Sequence, residues 1–139
     1  MAPTFRHGKS ASITITNVSA AVINYSSGVN SVTFSRSADT ADVTHFGQND
    51  KNFIPGLRGA TLSLSGMFSS THAKQLDAML GSTTGGAFVY GPESTTSGRR
   101  KFSGASVMTS LKYDAPVGDK VALSADFLIT GAVLSTNFP

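Results

Sequence analysis

The chain has 139 residues and a mass of 14.4 kDa, a size that fits one compact domain with a substantial core. Charged residues make up only 14% of it, against roughly 25% in an average soluble chain, and Ser and Thr fill the deficit. The absence of cysteine excludes disulfides and thiolate metal sites, and no apolar run is long enough for a membrane helix. A net charge of +3 is too small to indicate a dedicated nucleic-acid binder.

Apolar and polar residues alternate along several blocks, which is the pattern of strands that bury one face and solvate the other. Alternating blocks occupy residues 11–16, 31–36, 61–68, 105–113 and 121–129, and shorter apolar pieces occupy 20–25 and 87–90. Because such alternation is typical of antiparallel sheets, we predict a mainly β fold, an antiparallel β-sandwich or partial barrel. We expect one domain that spans residues 1–139.

Two of these blocks predict which side chains share a face. In block 105–113 the alternation places four apolar residues together, namely Ala105, Val107, Leu111 and Tyr113. In block 121–129 it places Ser124 and Asp126 on the face opposite Val121, Leu123, Ala125, Phe127 and Ile129. Gly131 follows and is expected to bend this last strand.

One segment departs from the alternation. Residues 71–80 carry apolar side chains at helical spacing, and Gly81 follows as a helix-terminating glycine. Ser70 or Thr71 is expected to cap the start of this helix. We therefore predict a short amphipathic helix over about 71–80 that lies across the sheet.

The connection from about 37 to 58 is longer than most loops of compact domains and has too few charges for a solvated linker. It contains five large apolar residues, Val43, Phe46, Phe53, Ile54 and Leu57. The segment is therefore either a projecting loop or hairpin, whose apolar residues would form an assembly surface, or an internal loop packed on the core of the domain.

Residues that could do chemistry are not arranged for it. His7, His45 and His72 stand in separate contexts, without a second histidine at the spacing of a metal site. Asp39 and Asp42 are close enough for a hard cation, but no calcium-loop pattern follows them, so a turn or interface role is favoured. No nucleotide-binding or nucleophile-elbow motif occurs. We expect no catalytic, cofactor-binding or metal site and no enzymatic activity.

Two stretches of the chain resemble the major tail tube proteins of long-tailed, siphovirus-like bacteriophages. Residues 32–47 run from a strand through an acidic, Thr-rich segment to the pair Phe46-Gly47. Residues 53–66 then pass through Pro55-Gly56-Leu57 into an alternating strand, and the helical segment follows. The block at 116–127 resembles the last long strand of that family.

This resemblance implies a structural virion protein. Its subunits would form hexameric rings, and the rings would stack into a tube through which DNA passes during ejection without specific binding. The implied partners are other copies of this chain, the tape-measure protein and other tail proteins, with no membrane binding by this chain. The protein would be made in the host bacterial cytoplasm and reside in the tail of the virion.

The resemblance also assigns surfaces. The 37–58 segment would be an arm that reaches an adjacent subunit or ring, and residues 1–12 a possible second, N-terminal arm. The implied inter-subunit residues are Asp39, Asp42, Phe46, Gly47, Phe53, Ile54, Pro55, Gly56 and Leu57. A lumen that conducts DNA should not grip it, so Ser124 and Asp126 are the candidates for its lining. For the same reason, four cations are expected to face outward or into interfaces, namely Arg99, Arg100, Lys101 and Lys112.

Other classes stay open at this point. Four other classes would share a β-rich body, namely a tail terminator ring, a capsid decoration protein, a secretion-tube protein of related fold and a small adhesion domain. The low charge content favours a chain whose surface is largely interface, because few charges then need to be desolvated.

Overall fold

The structure is a computed structural model that describes Phe5, residues 7–82 and residues 84–139. The strands are β1 (Ser12–Thr16), β2 (Val22–Asn24), β3 (Val29–Asp42), β4 (Phe53–Met67), β5 (Ala87–Gly91), β6 (Arg100–Asp114) and β7 (Ala122–Asn137). The helix α1 (Ser70–Met79) lies between β4 and β5 in the chain, and a 3-10 turn at Gly8–Ser10 precedes β1. The predicted N-terminal arm over 1–12 falls partly on residues 1–4 and 6, which lie outside the described residues.

All seven strands form one antiparallel sheet in the order β2-β1-β5-β6-β7-β4-β3. In a flat sheet β3 would lie about 19 Å from β5, since four strand spacings separate them. Instead, the ring centroid of Phe34 on β3 lies 5.8 Å from that of Phe88 on β5 and 5.2 Å from that of Phe102 on β6. The sheet is therefore rolled on itself, and the predicted mainly β fold is confirmed.

The inner face of the roll holds the hydrophobic core. On β7 the alternation prediction is correct for Leu123, Ala125, Phe127 and Ile129, which are all buried. Val121 differs, because it lies before the strand and is exposed. The other buried apolar side chains of the sheet come from β1, β4, β5 and β6, namely Ile13, Ile15, Ala60, Leu62, Leu64, Phe88 and Met108.

On β6 the alternation prediction is wrong for half of the strand. Val107 and Ala105 lie on the outer face, where they are opposite Leu128 and Thr130 respectively. The register with β7 shifts between Met108 and Ser110, and after this bulge Leu111 faces inward opposite Ala125. A β-bulge adds one residue to one strand, so the side chains on its two sides alternate out of phase.

Helix α1 packs on the inner side of the sheet, as its apolar spacing predicted. Ala73, Leu76 and Met79 are its buried residues. Gly81 has φ +72, the left-handed conformation expected of a residue that ends a helix. The predicted cap is wrong by one or two positions, since Ser69 occupies it and its side chain makes no capping hydrogen bond. No helix in the described residues has the length and apolar character to cross a membrane.

Candidate assembly surfaces

The distal halves of β3 and β4 leave the body of the sheet as a two-stranded ribbon, here called the arm (residues 37–58). β7 pairs with β4 only from Thr61 to Met67, whereas β3 stays paired with β4 out to Asp42 and Phe53. Residues 35–47 and 49–59 are all exposed. From Gly59 to Phe53 the ribbon extends about 20 Å at the usual rise of a strand. The arm is thus a projecting hairpin, and packing of this segment on its own core is excluded.

Hydrogen bonds hold together the two chain segments at the base of the arm's tip. The backbone N–H of Val43 donates to the carbonyl of Asn52 at 2.9 Å, and the N–H of Asn52 donates to Thr44 Oγ1 at 2.8 Å. The Asp42 carboxylate accepts from the N–H of Thr44 at 2.9 Å. Hydrogen bonding by the side chain of Thr44, and then by its backbone, lowers the pKa of Asp42 below its ordinary value. Asp42 therefore has a turn-forming role, as its residue type predicted.

The apex of the arm presents an aromatic ring to solvent. The N–H of His45 donates to Gln48 Oε1 at 3.0 Å, and His45 Nδ1 lies 3.0 Å from the carbonyl oxygen of Phe46. Gly47 has φ +89, which only glycine adopts readily, and it allows the tight turn. Phe46 is fully exposed within this ordered turn.

The remaining candidate interface residues lie along the shaft of the arm. Phe53 and Ile54 are half exposed, and Leu57 is 82% exposed. Pro55 lies opposite Thr40, and Gly56 and Leu57 form a bulge opposite Asp39. A two-stranded hairpin is marginally stable alone, so a ribbon with this much exposed apolar surface is suited to docking on a partner.

A second surface is the outer face of β3, β4, β7 and β6, here called the hydroxyl face. Residues directly opposite one another on antiparallel strands point to the same side of a sheet. The register groups on this face Ser31, Thr33, Ser35, Thr61, Ser63, Ser65, Ser110, Lys112, Ser124, Asp126 and Leu128. The face is therefore dominated by hydroxyl side chains, with few charges.

Asp126 links three strands on the hydroxyl face. Ser63 Oγ on β4 donates to its Oδ1 at 2.8 Å, and Ser110 Oγ on β6 donates to its Oδ2 at 2.8 Å. Both carboxylate oxygens are thus engaged by neutral donors. This fixes the orientation of the negative charge on the face.

The hydroxyl face contains one lysine that the sequence interpretation placed elsewhere. Lys112 lies directly opposite Ser124, so the two side chains share a face. The expectations that Ser124 lines a lumen and that Lys112 points away from it cannot both hold. The bulge between Met108 and Ser110 sets which side chains of β6 reach this face, and alternation alone did not locate it.

Another basic group lies where β5 turns into β6. Arg99 pairs with Glu93 at 3.7 Å, and Lys101 Nζ lies 5.7 Å from the centre of the Phe138 ring. Arg100 opens β6 opposite Asn137. Arg100 and Lys101 belong to β6, and Arg99 ends the turn that precedes the strand.

The roll is open between β1 and β3, and this opening is here called the seam. In the described residues β3 pairs only with β4, and β1 pairs only with β2 and β5, so no hydrogen-bonded ladder joins β1 to β3. A cavity of about 610 Å³ lies there. Residues that line it include Lys9, Ile13, Val29, Val32, Tyr90 and Pro92. Within the described ranges, no three His, Asp or Glu side chains gather as a metal site.

A rolled antiparallel sheet with a packed helix and a projecting arm defines a structural subunit built for assembly. The sequence profile of the phage tail tube proteins matches residues 8–135, and the chain belongs to that family. The predicted identity, a structural tail tube subunit located in the tail, is confirmed by this match. No curated protein sequence matched the chain.

Solved tails and tubes have the same fold. One match is the tail of an empty gene transfer agent particle, determined with helical refinement and C6 symmetry. It is 20% identical in sequence with a TM-score of 0.76, and the match covers 95% of this chain and 99% of that one. The SPP1 tail tube is 11% identical with a TM-score of 0.77, covering 95% and 79%. The baseplate of the anti-feeding prophage gives 12% identity and a TM-score of 0.74, covering 99% and 98%. At these identities the similarity shows a shared fold.

Proposed function

We propose that this chain forms hexameric rings that stack into a tube, and that DNA passes through the tube during ejection without specific binding. Membership of the tail tube family supports the proposal, as does the C6 symmetry of a tail that shares the fold. The observation that carries it is the arm, whose ordered tip and exposed apolar shaft have no partner within the described part of the same chain.

The arm makes the contact between copies in this proposal. Phe46 at its apex, with Phe53, Ile54 and Leu57 along its shaft, supplies the apolar surface that becomes buried. Asp39, Asp42, Gly47, Pro55 and Gly56 shape the turn and the bulge that hold those side chains in place. Because the tip is hydrogen-bonded before docking, little conformational entropy is lost on assembly.

The hydroxyl face lines the lumen in this proposal, with Ser124 and Asp126 among its residues. Hydroxyl groups interact weakly with phosphates, so a wall of this composition leaves DNA free to slide. Lys101, opposite Thr136, projects from the same side of β6 near the other end of the strand. Around Ser124 and Asp126 the basic residue is Lys112, and Asp114 two residues further along β6 adds a second carboxylate to that of Asp126. One cation against two anions does not make a phosphate-gripping patch.

The remaining functional expectations belong to the same proposal. The chain acts as a single domain with a structural and not an enzymatic role. Its partners in the particle are other copies of itself, the tape-measure protein and other tail proteins. No cofactor is needed for any of these contacts.

Electron microscopy of the purified protein over a range of concentrations tests this proposal. We expect rings and uniform tubes at high concentration. The matched variant replaces residues 40–56 with an Asn-Gly turn, which leaves the β3–β4 pairs nearer the body intact. It should fold with the same circular dichroism spectrum but fail to stack.

Two results would contradict the proposal. A protein that is strictly monomeric at every concentration would exclude the tube. Closed rings that never stack, in the wild type as in the variant, would favour a terminator-like ring instead.

A further inference from the structure

The seam is an open cavity bordered by apolar side chains and an aromatic ring. Its cavity of about 610 Å³ is open to solvent and exposes apolar atoms of Val29, Val32 and Pro92 next to Tyr90. The Tyr90 ring lies 6.1 Å from that of Phe34, within a group of aromatic rings that ends at the cavity. A further ring placed there would extend this group in the tilted arrangements that aromatic pairs prefer.

The charges of the arm and of the seam are opposite. The arm (residues 37–58) contains three aspartates, Asp39, Asp42 and Asp50, against two basic residues, Lys51 and Arg58. The rest of the chain has nine Lys and Arg residues against five Asp and Glu. Lys9 lines the seam, is exposed, and makes no salt bridge within the described part of the chain. Such complementarity favours one pairing of surfaces over others and accelerates their encounter.

The arm cannot fill the seam of its own chain in this conformation. Phe46 is fully exposed at the end of a ribbon that remains paired from Ala38 to Asp42. Its backbone turn is held by hydrogen bonds and not by contacts with the body. The occupant that the charges and the exposed ring together indicate is therefore the arm of a second copy.

We propose that the seam of one copy receives the tip of the arm of another, with Phe46 entering the cavity beside Tyr90 and Lys9 facing the aspartates of the arm. This inference rests on the proposed function, in which the arm docks on an adjacent copy, and adds the site that receives it. The contact joins each copy to the next in a head-to-tail manner, the type of interface that generates extended assemblies.

Cysteine cross-linking tests the contact directly, because the natural chain has no cysteine. Gly8 lines the seam, and no atom lies within 4 Å of the position of a Cβ added there, so Gly8→Cys fits. An Asn49→Cys chain carrying a size tag, which keeps Phe46 and places the thiol on an exposed residue of the same tip, is mixed with untagged Gly8→Cys chain and allowed to assemble before oxidation. We expect a disulfide-linked heterodimer.

The matched control replaces Gly8→Cys with Val117→Cys, which is fully exposed in the loop between β6 and β7. The yield with Gly8→Cys should exceed the yield with Val117→Cys several-fold. Equal yields, or a higher yield with Val117→Cys, would overturn the inference. If electron microscopy shows tubes in that case, the proposed function stands and only the receiving site is wrong; an absence of any assembly would instead refute the proposed function.

A charge exchange tests the polar half of the contact. Asp50→Lys in the Asn49→Cys chain, or Lys9→Glu in the Gly8→Cys chain, should each reduce the cross-link several-fold. Combining the two exchanges should restore it, because the opposite charges again face each other. Failure of the combination to recover would refute the pairing of Lys9 with the arm. A cross-link that forms only after removal of residues 1–6 would assign the seam to the chain's own N-terminal segment and also overturn the inference.

Discussion

Lys112 on β6 lies directly opposite Ser124 on β7, and the two side chains project from the same face of the sheet. One row along, Asp126 accepts hydrogen bonds from Ser63 and Ser110. A face that alternation assigned to neutral and acidic groups therefore also contains a lysine. In the proposed tube, each subunit would contribute this lysine to the lumen together with nearby carboxylates.

Chemical labelling of assembled tubes tests that placement. Lys112→Cys and Ser124→Cys should both react with a maleimide bearing a long polyethylene glycol chain in the dissociated protein, and both should become several-fold less reactive in tubes. The reason is that a lumen admits the bulky reagent poorly. The control is Lys74→Cys, exposed on α1 on the other side of the sheet. Protection of Ser124→Cys without protection of Lys112→Cys would contradict the shared face.

Asn17 connects the turn after β1 to the helix. Its Oδ1 accepts from the N–H groups of Ser19 and Ala21 at 3.0 and 2.9 Å, and its Nδ2 donates to Gln75 Oε1 at 2.6 Å. Asn17→Ala leaves these groups unpaired, and we expect it to lower the free energy of unfolding by about 2–4 kcal/mol. Urea denaturation measures this loss.

Asn24→Ala is the matched control for Asn17→Ala. Within the described residues, Asn24 Oδ1 accepts only from the N–H of Ser26, on an exposed part of β2. Water can replace that hydrogen bond, so its removal should lower the free energy of unfolding by less than about 1 kcal/mol. Equal losses in the two variants would show that the link from Asn17 to α1 contributes little.

Tyr25 is the largest fully buried side chain of the described residues, and its hydroxyl group has no hydrogen-bond partner there. Its ring packs at 4.9 Å from that of His72. Tyr25→Phe keeps the ring and removes the unsatisfied hydroxyl, so we expect the free energy of unfolding to stay equal or to rise by up to about 1 kcal/mol. A loss of stability in thermal or urea denaturation would indicate a hydrogen bond to an ordered water molecule.

The same phenol predicts a dependence of stability on pH. Burial raises the pKa of Tyr25 to about 12, whereas a phenol in the unfolded chain ionises near 10. Below about pH 10 the phenol is neutral in both the folded and the unfolded state, so its contribution to the free energy of unfolding is fully present. As the pH rises from about 10 to about 12, only the unfolded state loses the proton. The free energy of unfolding then falls by up to about 1.4 kcal/mol per pH unit.

Comparison with Tyr25→Phe isolates this effect. Burial also raises the pKa of Tyr90, and the pKa of Tyr113 is raised chiefly by desolvation, so the wild type alone would report a sum. Urea midpoints measured at about pH 9 and about pH 11 should fall more steeply in the wild type than in the variant. Parallel slopes would show that Tyr25 does not contribute.

The arm and the hydroxyl face differ in how far the sequence predicts them. The arm was indicated by local signals, namely a long connection, a low charge content and large apolar residues such as Phe46 and Leu57. These signals did not by themselves exclude packing of the segment on the core. Ser124 and Asp126 were predictable as a shared face from simple alternation within β7. Lys112 was not, because the side to which it points depends on a bulge in the pairing of β6 with β7.

The sequence by itself indicated the strands and the helix, because the period of apolar residues within one segment fixes which of its sides can be buried. It left the 37–58 segment open between a projecting hairpin and an internal loop. Only the tertiary structure decided how the sheet rolls, which places Phe34 beside Phe102 and leaves the seam open. The roll and the bulges arise from register and twist between strands far apart in the chain, and no local pattern specifies them. The docking surfaces of this tail tube subunit follow from both: the sequence provides the arm, and the fold provides the site that we propose receives it.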